Sequence, residues 1–191
     1  WLPGSLAGLA GATSGGPATG PVTYKPAPDR TLTFLPESTP GTYKPAWFIK
    51  DQLSYDCTTN EYKLLSPRGS VKTFDANGIL RSSQTPGGDR MDFSYDSMGR
   101  IESATMTVGG VTVSYAYSWT SGLVSEVIYS VADRAVLRTT YGYDGTSLST
   151  VKTWENSTVG TGAPDWGSTP ISACRYSYHS SGLLRHVLPP T

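Results

Sequence analysis

Apolar and polar residues alternate in short runs along most of this chain. In Met91–Tyr95, Val111–Tyr117 and Leu137–Tyr143, large apolar residues tend to recur at every second position. Such alternation is typical of strands that bury one face, and Gly, Asn, Asp or Ser interrupts the runs at turn-like intervals. Helical periodicity is nearly absent. We therefore predict an all-β fold in which successive hairpins form an antiparallel sheet.

The first fifty residues have a different composition. Residues 1–28 consist mainly of Gly, Ala, Pro, Ser and Thr, with Leu2, Leu6 and Leu9 as almost the only large aliphatic side chains. Such a composition cannot form a core alone. We predict that residues 1–50 are an extended Gly/Ala/Pro-rich segment, acting as a tail, a linker or a donated strand. Residues 51–191 are predicted to form the β-sheet domain.

A short motif recurs within this second region: an aromatic residue, Asp or a substitute, a Gly a few residues later, and an aliphatic residue. The clearest copy is Tyr95–Ile101. An Asp that begins a turn can accept hydrogen bonds from the following backbone amides, and Gly can take the positive φ that closes a hairpin. The residues assigned to these turns are Phe74, Asp75 and Gly78; Tyr95, Asp96, Gly99 and Arg100; Tyr117 and Gly122; Tyr143 and Asp144; and Tyr178 and Gly182.

The copies of the motif are unequal. Ser118 and His179 stand where Asp is found elsewhere, the third copy has one extra residue, and the fourth lacks the late Gly. We therefore expect hairpin lengths and turn types to vary. A single hairpin of this kind cannot bury its apolar face, so each copy must pack against its neighbours.

The motif at Tyr95–Ile101 resembles the tyrosine–aspartate (YD) repeat of bacterial rearrangement-hotspot (Rhs) and wall-associated proteins and of animal teneurins. The resemblance covers about residues 62–188. It implies a β-sheet ribbon that spirals into a hollow shell, which often encloses a toxin or presents a surface for adhesion. Five copies are too few for a closed shell, and no segment resembles the self-cleaving aspartyl core of Rhs proteins. A complete capsule is therefore disfavoured.

The charge and composition of the chain exclude some kinds of partner and suggest a location. Fifteen basic residues balance fifteen acidic ones, and no stretch concentrates Lys or Arg, so we expect no nucleic-acid partner. The apolar stretch at residues 1–12 is too short to span a membrane as a helix. A low charge content with many Ser, Thr, Gly and Tyr residues is common in secreted β proteins. We predict an extracellular or cell-surface location.

The sequence offers little catalytic chemistry. His179 and His186 are the only histidines and lie in the last predicted hairpin, and the repeated turn positions explain Asp75, Asp96 and Asp144. No Gly-x-Ser-x-Gly elbow, phosphate-binding loop or Asp-rich calcium loop is present. We predict no catalytic, cofactor or metal site.

Three other features have alternative interpretations. Cys57 and Cys174 either form one disulfide or remain buried thiols. Asn156-Ser157-Thr158 matches a glycosylation acceptor. Core packing is favoured over sugar stacking for three tryptophans in or near strands: Trp119, Trp154 and Trp166.

An open-ended repeat sheet combined with a coreless tail suggests self-association. We predict a structural surface or filament subunit that assembles through its N-terminal segment and open sheet edges. The alternatives are an adhesion or carbohydrate-binding module and a fragment of an Rhs-type shell. Partners are accordingly other copies of the chain, the rest of a longer repeat protein, or glycans.

Overall fold

The computed structural model describes residues 8–13, 15–27, 29–158 and 162–188. Leu2 and Leu6, named above, lie outside this part of the chain. The described residues form two compact units, Trp1–Ser94 and Tyr95–Thr191. Both units are built from β-strands and turns, and neighbouring strands pair antiparallel, which confirms the predicted fold class.

The described part of the first unit has nine strands, of which the last ends one residue past the unit boundary. These are β1 (Leu9–Ala10), β2 (Val22–Ala27), β3 (Arg30–Pro36), β4 (Thr42–Pro45), β5 (Gln52–Asp56), β6 (Glu61–Leu65), β7 (Val71–Asp75), β8 (Leu80–Gln84) and β9 (Arg90–Tyr95). Each strand pairs with the next one along the chain. The unit is therefore a meander, which is the topology that short turns between alternating strands produce.

The second unit contains longer strands in the same consecutive order. These are β10 (Ile101–Val108), β11 (Val111–Thr120), β12 (Leu123–Val131), β13 (Arg134–Asp144), β14 (Ser147–Glu155), β15 (Ser172–Tyr178) and β16 (Leu184–Leu188). Their pairing is again antiparallel throughout. No helix among the described residues is long and apolar enough to cross a membrane.

Aromatic side chains make the core of the first unit. Tyr62 is in register with Tyr55 on one neighbouring strand and with Phe74 on the other. The rings of Tyr55 and Tyr62 meet edge to face with centroids 4.7 Å apart. The side chains that are fully buried are Tyr62, Phe34, Phe74 and Val22. Burying an aromatic or large aliphatic side chain contributes roughly 1.5–3 kcal/mol, so this cluster dominates the stability of the unit.

The N-terminal segment contributes to this core. Leu9 is buried, and its backbone amide donates a hydrogen bond of 2.8 Å to the carbonyl of Gly78. The buried peptide of Ala18 lies between two tyrosine hydroxyls: its amide donates to Tyr62 Oη at 3.0 Å, and its carbonyl accepts from Tyr43 Oη at 3.1 Å. The segment thus packs against the aromatic core and satisfies its polar atoms.

This packing bears on the predicted division of the chain. The boundary at residue 50 stays a prediction; by their contacts, the two compact units meet after Ser94. Residues 8–50 supply β1–β4 of the chain's own sheet, and Leu32 and Phe34 join the same buried cluster as Leu53 and Leu64. Composition excluded a core made by this segment alone, but its few large apolar side chains complete a core that β5–β8 begin.

Candidate functional site

Three of the five repeat turns share one backbone hydrogen-bonding scheme, seen first at Asp75. Its Oδ1 accepts from the amides of Asn77 and Ile79, both at 2.9 Å. Its own amide donates to the carbonyl of Ile79, and the amide of Gly78 donates to the carbonyl of Asp75. Gly78 has a φ of 80°, which glycine adopts without the steric penalty of other residues. The carboxylate therefore organises the turn.

Asp96 repeats this geometry in the second unit. Its Oδ1 accepts from the amides of Met98 and Arg100 at 2.9 Å, and Gly99 has a φ of 75°. Its Oδ2 pairs with the Arg100 guanidinium at 2.7 Å. These bonds from the Arg100 amide and side chain, together with the Met98 amide, hold the pKa of Asp96 below its usual range.

The fifth copy keeps the backbone of the turn without the carboxylate. The amide of His179 donates to the carbonyl of Leu183, and the amide of Gly182 donates to the carbonyl of His179, each at 2.8 Å. Gly182 has a φ of 80°. Since the backbone bonds and the glycine are preserved, the Asp adds to this turn but is not required for it.

The third and fourth copies close differently. Thr120 pairs with Leu123, so only Ser121 and Gly122, both at positive φ, lie between the strands. Asp144 pairs with Ser147 in the same manner. These two-residue turns place Ser118 and Asp144 within strands instead of at the head of a longer turn.

Two further turns of the repeat type escaped the sequence analysis. The amide of Ser66 donates to the carbonyl of Ser70, and the amide of Gly69 donates back to Ser66, while Ser66 Oγ accepts from the Ser70 amide. Thr85, Gly88 and Asp89 repeat the two backbone bonds. The signal was a Gly three residues after a Ser or Thr, but no Tyr-Asp pair marked these turns.

The second unit carries a sheet face on which aromatic and aliphatic side chains meet across strands. Tyr115 is in register with Tyr129, and the ring centroids are 5.1 Å apart. Because cross-strand partners share a face, the registers extend this surface across β11–β16. We call it the aromatic face. The same registers place Thr139, Thr153 and Glu155 on it, and its apolar and aromatic members are Val113, Tyr115, Tyr117, Val127, Tyr129, Val131, Leu137, Tyr141, Val151, Cys174, Tyr176 and Val187.

The aromatic face is incompletely covered. Among the described residues of the second unit, the buried hydrophobic side chains are Ile101, Ala104 and Val124, whereas the tyrosines of the face are half-buried. Partial burial, and then the neighbouring Tyr115 and Tyr141, raise the pKa of Tyr117. The tyrosines therefore form a closely spaced group with substantial accessible ring surface.

The tryptophans compared with sugar-stacking platforms are half-buried and engaged. Trp119 Nε1 donates to the carbonyl of Ile101 at 2.7 Å, and the Arg100 guanidinium lies 5.5 Å from its ring centroid. Arg138 lies 5.6 Å from the ring of Trp154. Each arginine occupies ring surface that a sugar would need. Trp166 is also half-buried.

The other sequence candidates are placed as follows. Asn156 uses its side chain to hold its loop: Nδ2 donates to the Ala135 carbonyl at 2.7 Å, and Oδ1 accepts from the amides of Thr158 and Asp165. Cys57 is exposed and Cys174 is half-buried, and both are free thiols. Within the described ranges, no group of three or more His, Cys, Asp or Glu side chains is arranged to hold a metal ion.

Among the described residues, the most exposed aromatic side chains are two that were not predicted from the sequence. Trp47 and Phe48 lie in the turn between β4 and β5 with 88% and 99% of their surface exposed. They directly follow Pro45 and Ala46 in the sequence. Their adjacency and their position in a turn were visible in the sequence.

Comparisons with known proteins do not assign the chain to a family. No family model matches the chain, and no curated protein matches its sequence. Among solved structures, the chain is similar to one chain of the crystal structure of TcdB2-TccC3-Cdc42, with 14% identity and a TM-score of 0.31. The similarity covers 89% of this chain and 12% of that chain.

Proposed function

We propose that the chain is a structural YD-type β-repeat segment that forms part of a larger extracellular sheet assembly and has no enzymatic activity. The observation that carries this proposal is the half-exposed aromatic face of β11–β16. In the proposed assembly, further sheet of the same kind covers this face. The function of the segment is to build a surface or wall.

The chemistry of the face supports this role. Soluble monomers rarely leave large contiguous apolar patches in water, and a larger patch marks a surface that contacts another element. Sheets bury such a face by packing against a second sheet or by continuing and curving. Tyrosine suits a partly wet interface of this kind, because its ring packs while its hydroxyl remains hydrated.

The turns support the repeat interpretation. Asp75 and Asp96 use identical hydrogen-bonding schemes in two different units, and Ser66, Thr85 and His179 retain the backbone part of it. Because this turn forms with Asp, Ser, Thr or His as its first residue, it can recur between strands of different length and sequence. This tolerance is what a degenerate repeat requires in order to extend a sheet.

A filament is the second candidate, and β16 is the observation that favours it. All five of its residues are exposed, and among the described residues of the second unit it pairs with β15 only. An unpaired edge can receive a strand from another chain. Residues 9–45 already occupy the chain's own sheet, so donation of the N-terminal segment would require exchange between copies.

Adhesion to glycans is a weaker alternative. The tryptophans proposed for sugar stacking are half-buried, and the ring surfaces of Trp119 and Trp154 are shared with arginines. A glycan would have to bind the tyrosines of the aromatic face instead. The substitution Tyr129→Lys, described next as the test of the structural proposal, also tests this alternative.

The test is a pair of adjacent lysine substitutions on opposite faces of β12. Tyr129→Lys places a charge on the aromatic face, whereas Ser130→Lys points to the other face. We expect the full chain to associate as its concentration rises in sedimentation velocity, Tyr129→Lys to remain monomeric, and Ser130→Lys to behave as the wild type.

The same samples should bind a fluorescent apolar dye at low concentration and lose dye as they associate. A wild-type chain that stays monomeric at high concentration and binds no dye would overturn the proposal. Dye displacement by a soluble glycan, without association, would favour the adhesion alternative instead.

A further inference from the structure

The turn between β4 and β5 projects two adjacent aromatic rings into solvent. Trp47 and Phe48 are the most exposed of the large hydrophobic side chains among the described residues. Their ring centroids are 6.4 Å apart, and the ring planes are inclined by 51°. This pair, which we call the aromatic tip, is convex and is not part of the core of either unit.

The backbone holds the aromatic tip in a defined conformation. Phe48 has a φ of 60°, a region that a bulky residue rarely occupies and that carries a penalty of about 1 kcal/mol or more. On one side, the amide of Ala46 donates to the carbonyl of Thr33 at 2.8 Å. On the other side, Ile49 packs against the core of the first unit. The rings are thus presented outward by a turn anchored at both ends.

Basic residues flank the tip. Lys44 and Lys50 are both exposed, and they lie three residues before Trp47 and two residues after Phe48. The acidic neighbour Asp51 is half-buried, so its carboxylate is less exposed than the two lysines. The exposed surface beside the rings is therefore positive, although the chain as a whole has no net charge.

We propose that the aromatic tip is a membrane-surface contact: Trp47 and Phe48 enter the lipid interface, and Lys44 and Lys50 contact anionic headgroups. Tryptophan is favoured at the boundary between headgroups and acyl chains. Nearby lysines add attraction to anionic leaflets. A convex pair of inclined rings fits a deformable lipid surface, whereas a sugar platform needs a flat, accessible ring face.

Two rings and two lysines give weak binding for one chain. Stable anchoring of peripheral proteins needs more than one such signal. An assembly that repeats the tip would bind through many copies at once, and its avidity would exceed the affinity of one copy. The membrane contact itself does not depend on the proposed assembly, so the two can be tested separately.

The experiment measures co-sedimentation of the full chain with vesicles of phosphatidylcholine, alone or mixed with phosphatidylserine. The test variant is Trp47→Ala with Phe48→Gly, which removes both rings and fits the positive φ. The matched control is Met98→Ala with Leu183→Ala, which removes two other exposed apolar side chains from turns. Circular dichroism should show the same sheet content for all three chains.

We expect the tip variant to lose on the order of tenfold or more in vesicle binding, because a loss of about 1.4 kcal/mol corresponds to that factor. The control should bind as the wild type does. A third variant, Lys44→Glu with Lys50→Glu, should lose the preference for phosphatidylserine.

Two results would overturn the proposal. One is a wild-type chain that sediments with neither kind of vesicle, and the other is a tip variant that binds as well as the wild type. If the tip variant instead abolishes self-association without lipid, the tip docks on another copy of the chain, and the membrane assignment is incorrect.

Discussion

Phe74 of the first unit is fully buried, whereas Tyr117 and Tyr143, at the corresponding place in later copies of the repeat, remain half-exposed. The local sequences are alike: an aromatic residue precedes the turn in each case. In the first unit, residues 9–24 pack on the core and contact it through Leu9, Ala18 and Tyr24. Burial of the aromatic position therefore depends on a covering segment and not on the repeat itself.

The largest expected effect comes from deleting a ring in each unit. Phe74→Ala should destabilise the first unit by about 3–5 kcal/mol, since it leaves a cavity in a closed core. Tyr143→Ala should have a smaller effect, about 1–2 kcal/mol, because water already reaches its half-exposed ring. Hydrogen exchange in urea can follow each unit separately. Equal losses in the free energy of unfolding would show that Phe74 and Tyr143 are covered to the same extent.

A second comparison uses one substitution in two matching turns. Gly78 and Gly99 have similar positive φ values, but a Cβ on Gly78 would clash with the Leu9 carbonyl oxygen, whereas nothing lies within 4 Å of one on Gly99. Gly99→Ala should therefore destabilise its unit by about 1–2 kcal/mol from backbone strain alone. Gly78→Ala should have a larger effect, because it also displaces β1.

Exchange protection of the Leu9 amide provides the direct readout of this displacement. The amide donates to the Gly78 carbonyl in the native chain, so Gly78→Ala should remove its protection while Gly99→Ala leaves it intact. Retained protection in Gly78→Ala would contradict the close approach of β1 to this turn.

A third comparison removes one hydroxyl from each unit. Tyr62→Phe deprives the buried Ala18 amide of its acceptor, which should destabilise the first unit by about 1–3 kcal/mol. Tyr143→Phe removes a part-buried donor to the Val124 carbonyl, which water can replace, so we expect about 0.5–1 kcal/mol. Denaturant melts of both variants measure the difference, and a larger loss for Tyr143→Phe would reverse the proposed order.

The smallest expected effect is the loss of stability at acidic pH. The pKa of Asp96 is lowered by hydrogen bonds from Arg100 and Met98, and that of Asp56 by the amides of Thr58 and Thr59 and by Lys63. A lowered folded-state pKa means that the folded chain binds fewer protons than the unfolded chain. The stabilisation is therefore complete above the unfolded value of about 3.9 and is lost as the pH falls through the folded value.

Melting temperatures measured between neutral pH and acid test this dependence. The decline below about pH 4 should be shallower in Asp96→Asn than in the wild type. His179, which begins a turn of the same backbone type, offers a control: His179→Asn changes no carboxylate and should leave the acid decline as steep as before. If the melting temperature of Asp96→Asn falls as steeply in acid as that of the wild type, protonation of Asp96 does not contribute to the loss of stability.

The sequence was sufficient where the determinants are local. The turns at Asp75 and Asp96 could be predicted because a carboxylate and a Gly at fixed spacing satisfy neighbouring amides. The turns at Ser66 and Thr85 were missed because they keep the backbone geometry without the Tyr-Asp signature. Trp47 and Phe48 were missed because a short aromatic pair is also what a core strand contains.

By itself, the sequence determined the class of fold, the consecutive hairpins and the best-marked turns, since these follow from alternation and from contacts a few residues apart. Only the tertiary structure decided which aromatic residues are buried. Leu9 and Gly78 are far apart in the chain, and no local pattern encodes their contact. Residues 1–50 are poor in large apolar side chains, and only the folded structure shows that Leu9, Leu32 and Phe34 of this segment pack into the buried cluster of the first unit. Burial depends on what lies opposite a face, and that is a property of the folded chain.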